Sequence, residues 1–150
     1  MHRLLLGLAT SFLIASATHA QPILTASSDA HPGDTVNWSV SGATANASVV
    51  ILVSGRNQGM TFGPFDTHCG TVEVSLGIGP GFRPVGRGRV APDGTFSSSL
   101  VLSSHLPARL DGVTVYSQAV TVQFSNTPHP QSCSIVTATS NVAPTALHVP

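Results

Sequence analysis

Alternation of apolar and polar residues with a period of two is the feature that most constrains the fold of this chain. Over residues 35–41, Val36, Trp38 and Val40 would share one face of a strand, and small polar residues would take the other. Beyond residue 20, no segment shows a sustained apolar period of 3.6 residues, so we expect strands and only one helical turn, over residues 104–111. The pattern predicts an all-β fold.

Turn residues divide this pattern into about seven or eight strands. The predicted strands cover residues 23–27, 35–41, 47–53, 71–78, 87–91, 95–102, 113–124 and 132–139. Pro92-Asp93-Gly94 predicts a turn that joins two of them in a hairpin, because Pro fixes φ and Gly accepts a positive φ. Short strands with frequent Gly and Pro favour a single antiparallel β-sandwich over a barrel, with Trp38 at the centre of its core.

The N-terminus has the order of a secretory signal peptide. A short basic start precedes an apolar run over residues 4–14, which is too short for a permanent transmembrane helix. Cleavage is expected after Ala20 or Ala17, and the alternative is a buried N-terminal helix. We therefore predict a signal peptide at 1–20, a β-sandwich domain at 21–142 and a flexible tail at 143–150. The mature protein would be secreted or periplasmic, with no transmembrane segment.

The charge balance argues against a general nucleic-acid binder, which needs a strong positive field. Six basic residues, all Arg, balance six acidic ones. Arg83, Arg87 and Arg89 form the only local cluster, and Arg87 and Arg89 would share one strand face. These guanidinium groups are candidates for binding phosphate or carboxylate. The alternative is a solvated edge that discourages pairing with other strands.

Two cysteines, Cys69 and Cys133, predict a disulfide in an exported chain. Closing so long a loop would stabilise the fold by about 4 kcal/mol on the chain-entropy model. The alternatives are two free thiols, or a metal pair assisted by His68. We expect no metal or cofactor, because structural zinc normally needs four ligands, and because Asp29 and Asp34 fit turn capping better than a calcium loop.

The sequence assembles no catalytic constellation. It lacks the G-x-S-x-G elbow of serine hydrolases, and Glu73 is its only Glu. We therefore predict that the protein is not an enzyme. The protein would act at the cell exterior as a structural, adhesive or protein-binding component, by edge-strand pairing or through the Gly-rich loops 55–63 and 77–88. Its partner would be a protein or a glycan, with the oligomeric state open. The alternative is a carbohydrate or small-ligand binding module, for which Phe62, Phe65 and Phe82, in predicted loops, are the candidate binding platform.

The second half of the chain resembles a known kind of module. The resemblance rests on the segments Pro92-Asp93-Gly94-Thr95-Phe96, Leu106-Pro107 and Leu110-Asp111-Gly112-Val113-Thr114-Val115-Tyr116-Ser117-Gln118-Ala119. They resemble an immunoglobulin-like β-sandwich module of uncharacterised exported proteins of environmental Gram-negative bacteria, over most of residues 22–125. The resemblance implies a sandwich at the cell exterior and no catalytic or binding residues. Such modules often recur in longer proteins, whereas one copy is present here, with a Cys-bearing extra strand.

Overall fold

The computed structural model describes residues 21–126 and 133–150 and confirms an all-β fold with several antiparallel sheets. Its strands are β1 (Ile23–Ala26), β2 (Asp29–Ala30), β3 (Thr35–Ser41), β4 (Ser48–Ser54), β5 (Met60–Thr67), β6 (Gly70–Leu76), β7 (Arg83–Arg89), β8 (Phe96–Val101), β9 (Thr114–Asn126), β10 (Cys133–Thr139) and β11 (Ala143–Leu147). The expected helical turn is a short 3-10 helix, Ala108–Leu110. The described residues contain no helix that is long and apolar enough to cross a membrane. The predicted signal peptide lies outside them.

Three groups of paired strands build the molecule. Sheet A has the order β1-β3-β8, and sheet B has the order β2-β11-β9-β4-β7, with β10 also paired to β9. The third group, hairpin C, is β5 paired with β6. Strand β9 is long enough for β11 and β10 to share one of its edges, β11 along its first part and β10 along its last. Sheet B is thus the centre of the fold.

Sheets A and B enclose the first core, an arrangement consistent with a β-sandwich. Val36, Trp38 and Val40 of β3 are buried there, as the alternation predicts. Ile51 of β4 and Ala119 of β9 meet them from sheet B. Both partners therefore direct their apolar face inward, which is the arrangement that removes most apolar surface from water.

Trp38 joins the two sheets by a hydrogen bond as well as by packing. Its indole Nε1 donates to Ser117 Oγ at 2.9 Å, and both residues are buried. A buried indole N–H needs such a partner, because leaving it unpaired costs about 1–3 kcal/mol. The bond fixes the position of β9 against β3.

The opposite face of sheet B carries a second core beneath hairpin C. Leu52 and Val120 of sheet B are buried against Leu76 and Ile78, which end β6 and follow it. Gln118, also buried, accepts a hydrogen bond from the Gly77 N–H at 2.8 Å, and its Nε2 donates to the Ser140 carbonyl at 2.8 Å. Gln118 therefore connects the end of the hairpin to the bend between β10 and β11.

Several sequence predictions are corrected by the sheet topology. The described part of the chain has eleven strands rather than seven or eight. Sheet B is mixed, because β2 pairs with β11 in parallel. Strands β7 and β8 do follow one another around a turn, yet they belong to different sheets, since β7 pairs with β4 and β8 with β3. The predicted hairpin is therefore wrong: the turn is a corner between the two sheets.

The C-terminal segment also differs from its prediction. Residues 143–150 were expected to form a flexible tail, but Ala143–Leu147 is a strand between β9 and β2. Ala143, Thr145 and Leu147 point inward and are buried. A Pro in the middle of a run argues against a central strand, yet residues 143–147 form one. Pro144 is exposed and pairs across from Tyr116, so its ring faces solvent.

Candidate binding site

An apolar cleft lies between hairpin C and sheet B. Its volume is about 280 Å³. We call it the phenylalanine cleft; its walls are Val50, Leu52, Phe62, Phe65, Val72, Val74, Leu76, Phe82, Val120, Val122 and Thr137. The second core is therefore filled near Ile78 and left open towards the hairpin's aromatic side chains.

The structure brings the three candidate phenylalanines together. The Phe62 and Phe65 ring centroids are 4.8 Å apart, and Phe82 meets Phe62 edge-on at 5.5 Å. Both distances lie within the range of favourable aromatic pairs. Phe62 and Phe65 stay 43% and 42% exposed. The predicted platform is thus one contiguous aromatic cluster that water still reaches.

A break in the register of hairpin C explains why Phe62 and Phe65 act together. Residues three apart in a regular strand point to opposite faces. Here Phe62 pairs with Val74 and Phe65 with Val72, with a register shift between the two pairs. Gly63 lies at the shift, and an added Cβ would approach the Val72 carbonyl oxygen to 2.8 Å. The one extra residue in β5 turns both rings to the same face, and only glycine fits at Gly63.

A disulfide joins hairpin C to sheet B at the turn of the hairpin. Cys69 lies in the turn of hairpin C and is bonded to Cys133, the first residue of β10. The predicted bridge is therefore present. Strand β10 belongs to sheet B through β9, so the bond ties the turn of the hairpin to the sheet that it covers.

The arginines are divided between two faces of an edge strand. All three are exposed in β7, which pairs only with β4 among the described strands. Arg87 pairs across from Val50, whose side chain contacts the second core, whereas Arg83 pairs across from Val53, which contacts the first. Arg87 and Arg89 share a face as predicted, but the register shift in β7 places Arg83 on the other one. They do not form a three-guanidinium site.

The residues considered as metal ligands take part in other interactions. His68, Cys69 and Cys133 lie within 4.8 Å of one another, but both sulfur atoms are in the disulfide. Asp34 accepts the His31 backbone N–H at 2.8 Å, which is the turn-capping role expected for it. Asp29 accepts a hydrogen bond from Ser28 Oγ at 2.8 Å.

Sequence reasoning found the aromatic side of the cleft and missed the wall facing it. Phe62 and Phe65 were placed in loops, but they lie in β5; Phe82 lies in the loop before β7. The signal for the facing wall is in β4, where residues 49–53 are all apolar and therefore present apolar side chains on both faces of the strand. A strand that is apolar on both faces needs cover on both, which indicated a layer beyond the sandwich.

Comparison with known proteins adds no assignment to this geometry. No protein-family model matches the chain, and no curated protein matches it significantly.

Proposed function

We propose that this protein is an exported, non-enzymatic, immunoglobulin-like β-sandwich that binds another protein through the phenylalanine cleft. One observation carries the proposal: Phe62 and Phe65 remain more than two-fifths exposed at the mouth of an apolar cleft. Aromatic side chains are enriched at the centres of protein interfaces. Covering them would remove apolar surface from water and so favour association.

The lining favours apolar side chains of a partner protein over a glycan. Among the described residues that line the cleft, Thr137 is the only polar one and none is charged. A sugar brings many hydroxyl groups, and each would lose its water without gaining a hydrogen bond. Apolar side chains of a protein carry no such cost.

Nearby Phe124 extends the apolar surface along sheet B. It is 56% exposed and pairs across β9 and β10 with Ile135. It lies two residues beyond Val122 on the same strand and therefore on the cleft face. A partner seated in the cleft would cover Phe124 as well, which gives an interface larger than the cavity.

The disulfide and the sequence support the remaining parts of the proposal. A cystine is typical of an oxidising compartment, as expected for an exported chain. The signal-like N-terminus and the resemblance to an exported module favour the same location.

Site-specific photo-cross-linking in the producing cells tests the proposal. A benzophenone amino acid at Phe65 should form an adduct with a specific protein, identifiable by mass spectrometry. The matched control carries the same group at Ser39, which is exposed on the outer face of sheet A. Equal protein adducts at both positions, or none at Phe65, would refute the proposal. An adduct with lipid, or glycan-array binding lost in Phe65→Ala, would replace the protein with that ligand.

A further inference from the structure

The free edges of the sheets are unequally protected against pairing with other chains. An edge strand exposes unpaired N–H and C=O groups, which natural proteins block with charge, proline, bulges or covering elements. In β1, Asn141 provides the cover: its Oδ1 accepts the Leu24 N–H at 2.8 Å and its Nδ2 donates to the Leu24 carbonyl at 3.0 Å. This edge of sheet A is therefore closed.

The other edges of the described strands are protected in different ways. Strand β7 has three arginines, Pro84 and a register shift. Strand β5 has Pro64 and a register shift beside it. Strand β2 has only two residues, which is too short to template another strand. Strand β6 carries Glu73. Strand β10 is uncharged and regular, but β6 packs against it and the disulfide ties its first residue to the hairpin turn, so its edge is covered.

Strand β8 has none of these devices. Its sequence, Phe-Ser-Ser-Ser-Leu-Val, contains no charge and no proline. Its register with β3 runs without a shift from Thr35↔Val101 to Val40↔Phe96. Leu100 is 43% exposed and Val101 is 67% exposed. Among the edges of the described strands, this one presents a regular, uncharged and partly apolar backbone to solvent.

The direction of the free hydrogen-bonding groups follows from the pairing. Leu102 donates its N–H to the Asp34 carbonyl, at 2.8 Å, so the even-numbered residues of β8 exchange hydrogen bonds with β3. The N–H and C=O groups of Ser97, Ser99 and Val101 therefore point away from β3. Strand β8 pairs only with β3 among the described strands.

We infer that β8 is the docking edge for a second copy of this chain, which would join the two A sheets into one six-stranded sheet. A two-fold axis at Ser99 places Ser99 opposite Ser99 of the second copy and Ser97 opposite its Val101. This antiparallel register forms about six backbone hydrogen bonds, three donated by each copy. It also covers the exposed flank of Leu100 in both copies.

Charge and cavity both favour a second copy as the occupant. None of the strands in sheet A contains a charged residue, so the two-fold arrangement brings no like charges together. The whole chain has a formal net charge of zero, which removes long-range repulsion between copies. Beside β8 the first core opens in an apolar cavity of about 120 Å³, whose walls include Val85, Leu100 and Leu102. A strand added to β8 would close this opening.

This inference is independent of the proposed function, because β8 belongs to sheet A and the phenylalanine cleft lies on the far face of sheet B. A dimer through β8 leaves both clefts open.

Sedimentation velocity of the mature oxidised protein over a range of concentrations tests the inference. The wild type should dimerise reversibly. Ser99→Lys opposes two like charges at the axis and should raise the dimer dissociation constant about tenfold or more. Ser99→Glu should do the same alone, and an equimolar mixture of the two variants should recover the dimer. Ser39→Lys is the matched control, exposed on the same face but in the central strand, and it should leave dimerisation unchanged.

Three outcomes would overturn the inference. The first is that the wild type remains monomeric at the highest concentration that it reaches. The second is that the dimer persists in Ser99→Lys, which would place the contact elsewhere. The third is that the wild type grows into open-ended fibrils rather than dimers, which would mean that the pairing is not a closed two-fold contact.

Discussion

The two faces of sheet B present opposite solutions to the burial of apolar residues. On one face, sheet A covers the first core with regular strands, and Val40 and Ile51 are fully buried. On the other, hairpin C covers only part of the surface and leaves Phe62, Phe65 and Phe124 exposed. The first face holds the fold together. The second retains apolar surface that a partner can still cover, and that is the property of a binding site.

Sheet A and hairpin C are also attached to sheet B in different ways. Sheet A contacts sheet B along whole strands, through the side chains of β1, β3 and β8. Hairpin C packs on sheet B through the smaller second core and is tied to it at two points, by the disulfide at its turn and by Gln118 beside its last strand. We therefore expect a stable sandwich with a less stable hairpin layer, and the following changes test that difference.

The largest effect is expected in the first core. Trp38→Ala should reduce the free energy of unfolding by about 4 to 5 kcal/mol, because it leaves a cavity and removes the hydrogen bond to Ser117. Urea denaturation followed by circular dichroism measures it. Trp38→Phe, which keeps most of the ring volume, should cost clearly less. Equal losses in the two variants would mean that the indole does not pack as described.

Removal of the disulfide should have the next largest effect, and a local one. The double variant Cys69→Ser, Cys133→Ser should lose about 2 to 4 kcal/mol in denaturant. Hydrogen exchange should accelerate mainly in β5 and β6, while β3 and β4 remain protected. Uniform acceleration across both regions would show that the hairpin and the sandwich unfold as one unit.

Gln118 is the second attachment of hairpin C. Gln118→Leu keeps the volume and breaks the hydrogen bonds to Gly77 and Ser140, so it should cost about 1 to 3 kcal/mol. Exchange of the Gly77 amide should accelerate most. Asn141→Leu, which removes two hydrogen bonds to Leu24 in sheet A, is the matched comparison and should leave the Gly77 amide unaffected.

Phenylalanines at the cleft should matter little for stability. Phe65→Ala should lower the free energy of unfolding by about 1 kcal/mol, because much of the ring is already in water. Fluorescence of anilinonaphthalene sulfonate, an apolar dye, should fall in this variant if the dye enters the cleft. A loss as large as that of Trp38→Ala would identify Phe65 as a core residue instead.

The smallest effect is expected at the turn before β3. The carboxylate of Asp34 accepts a hydrogen bond from the His31 backbone N–H, and the His31 imidazole lies beside it. These contacts hold the pKa of Asp34 below its ordinary value. The stabilisation is therefore complete above the unfolded-state pKa of about 3.9 and is lost as the pH falls through the lower folded-state value. Asp34→Asn, which accepts the same bond without titrating, should reduce the decline in urea midpoint below about pH 4. An unchanged decline would contradict this role.

Local patterns predicted the part of the first core that β3 supplies, because the faces of a strand alternate along the chain. Val36, Trp38 and Val40 were placed inward from their alternation alone, and the structure confirms them. The disulfide was predicted from a pair of cysteines in an exported chain. The aromatic candidates were predicted as a set, but not their shared face, since a register shift at Gly63 produces it.

By itself, then, the sequence determined the all-β class, the apolar face of β3, the pairing of the two cysteines and the identity of the aromatic candidates. Only the tertiary structure decided which strands share a sheet, that residues 143–147 form a strand, and that hairpin C makes a third layer with an open cleft. The physical reason is the separation along the chain of the residues that interact. A side chain's face depends on its immediate neighbours along the strand, whereas sheet membership and cavity shape depend on pairings between residues far apart in the chain.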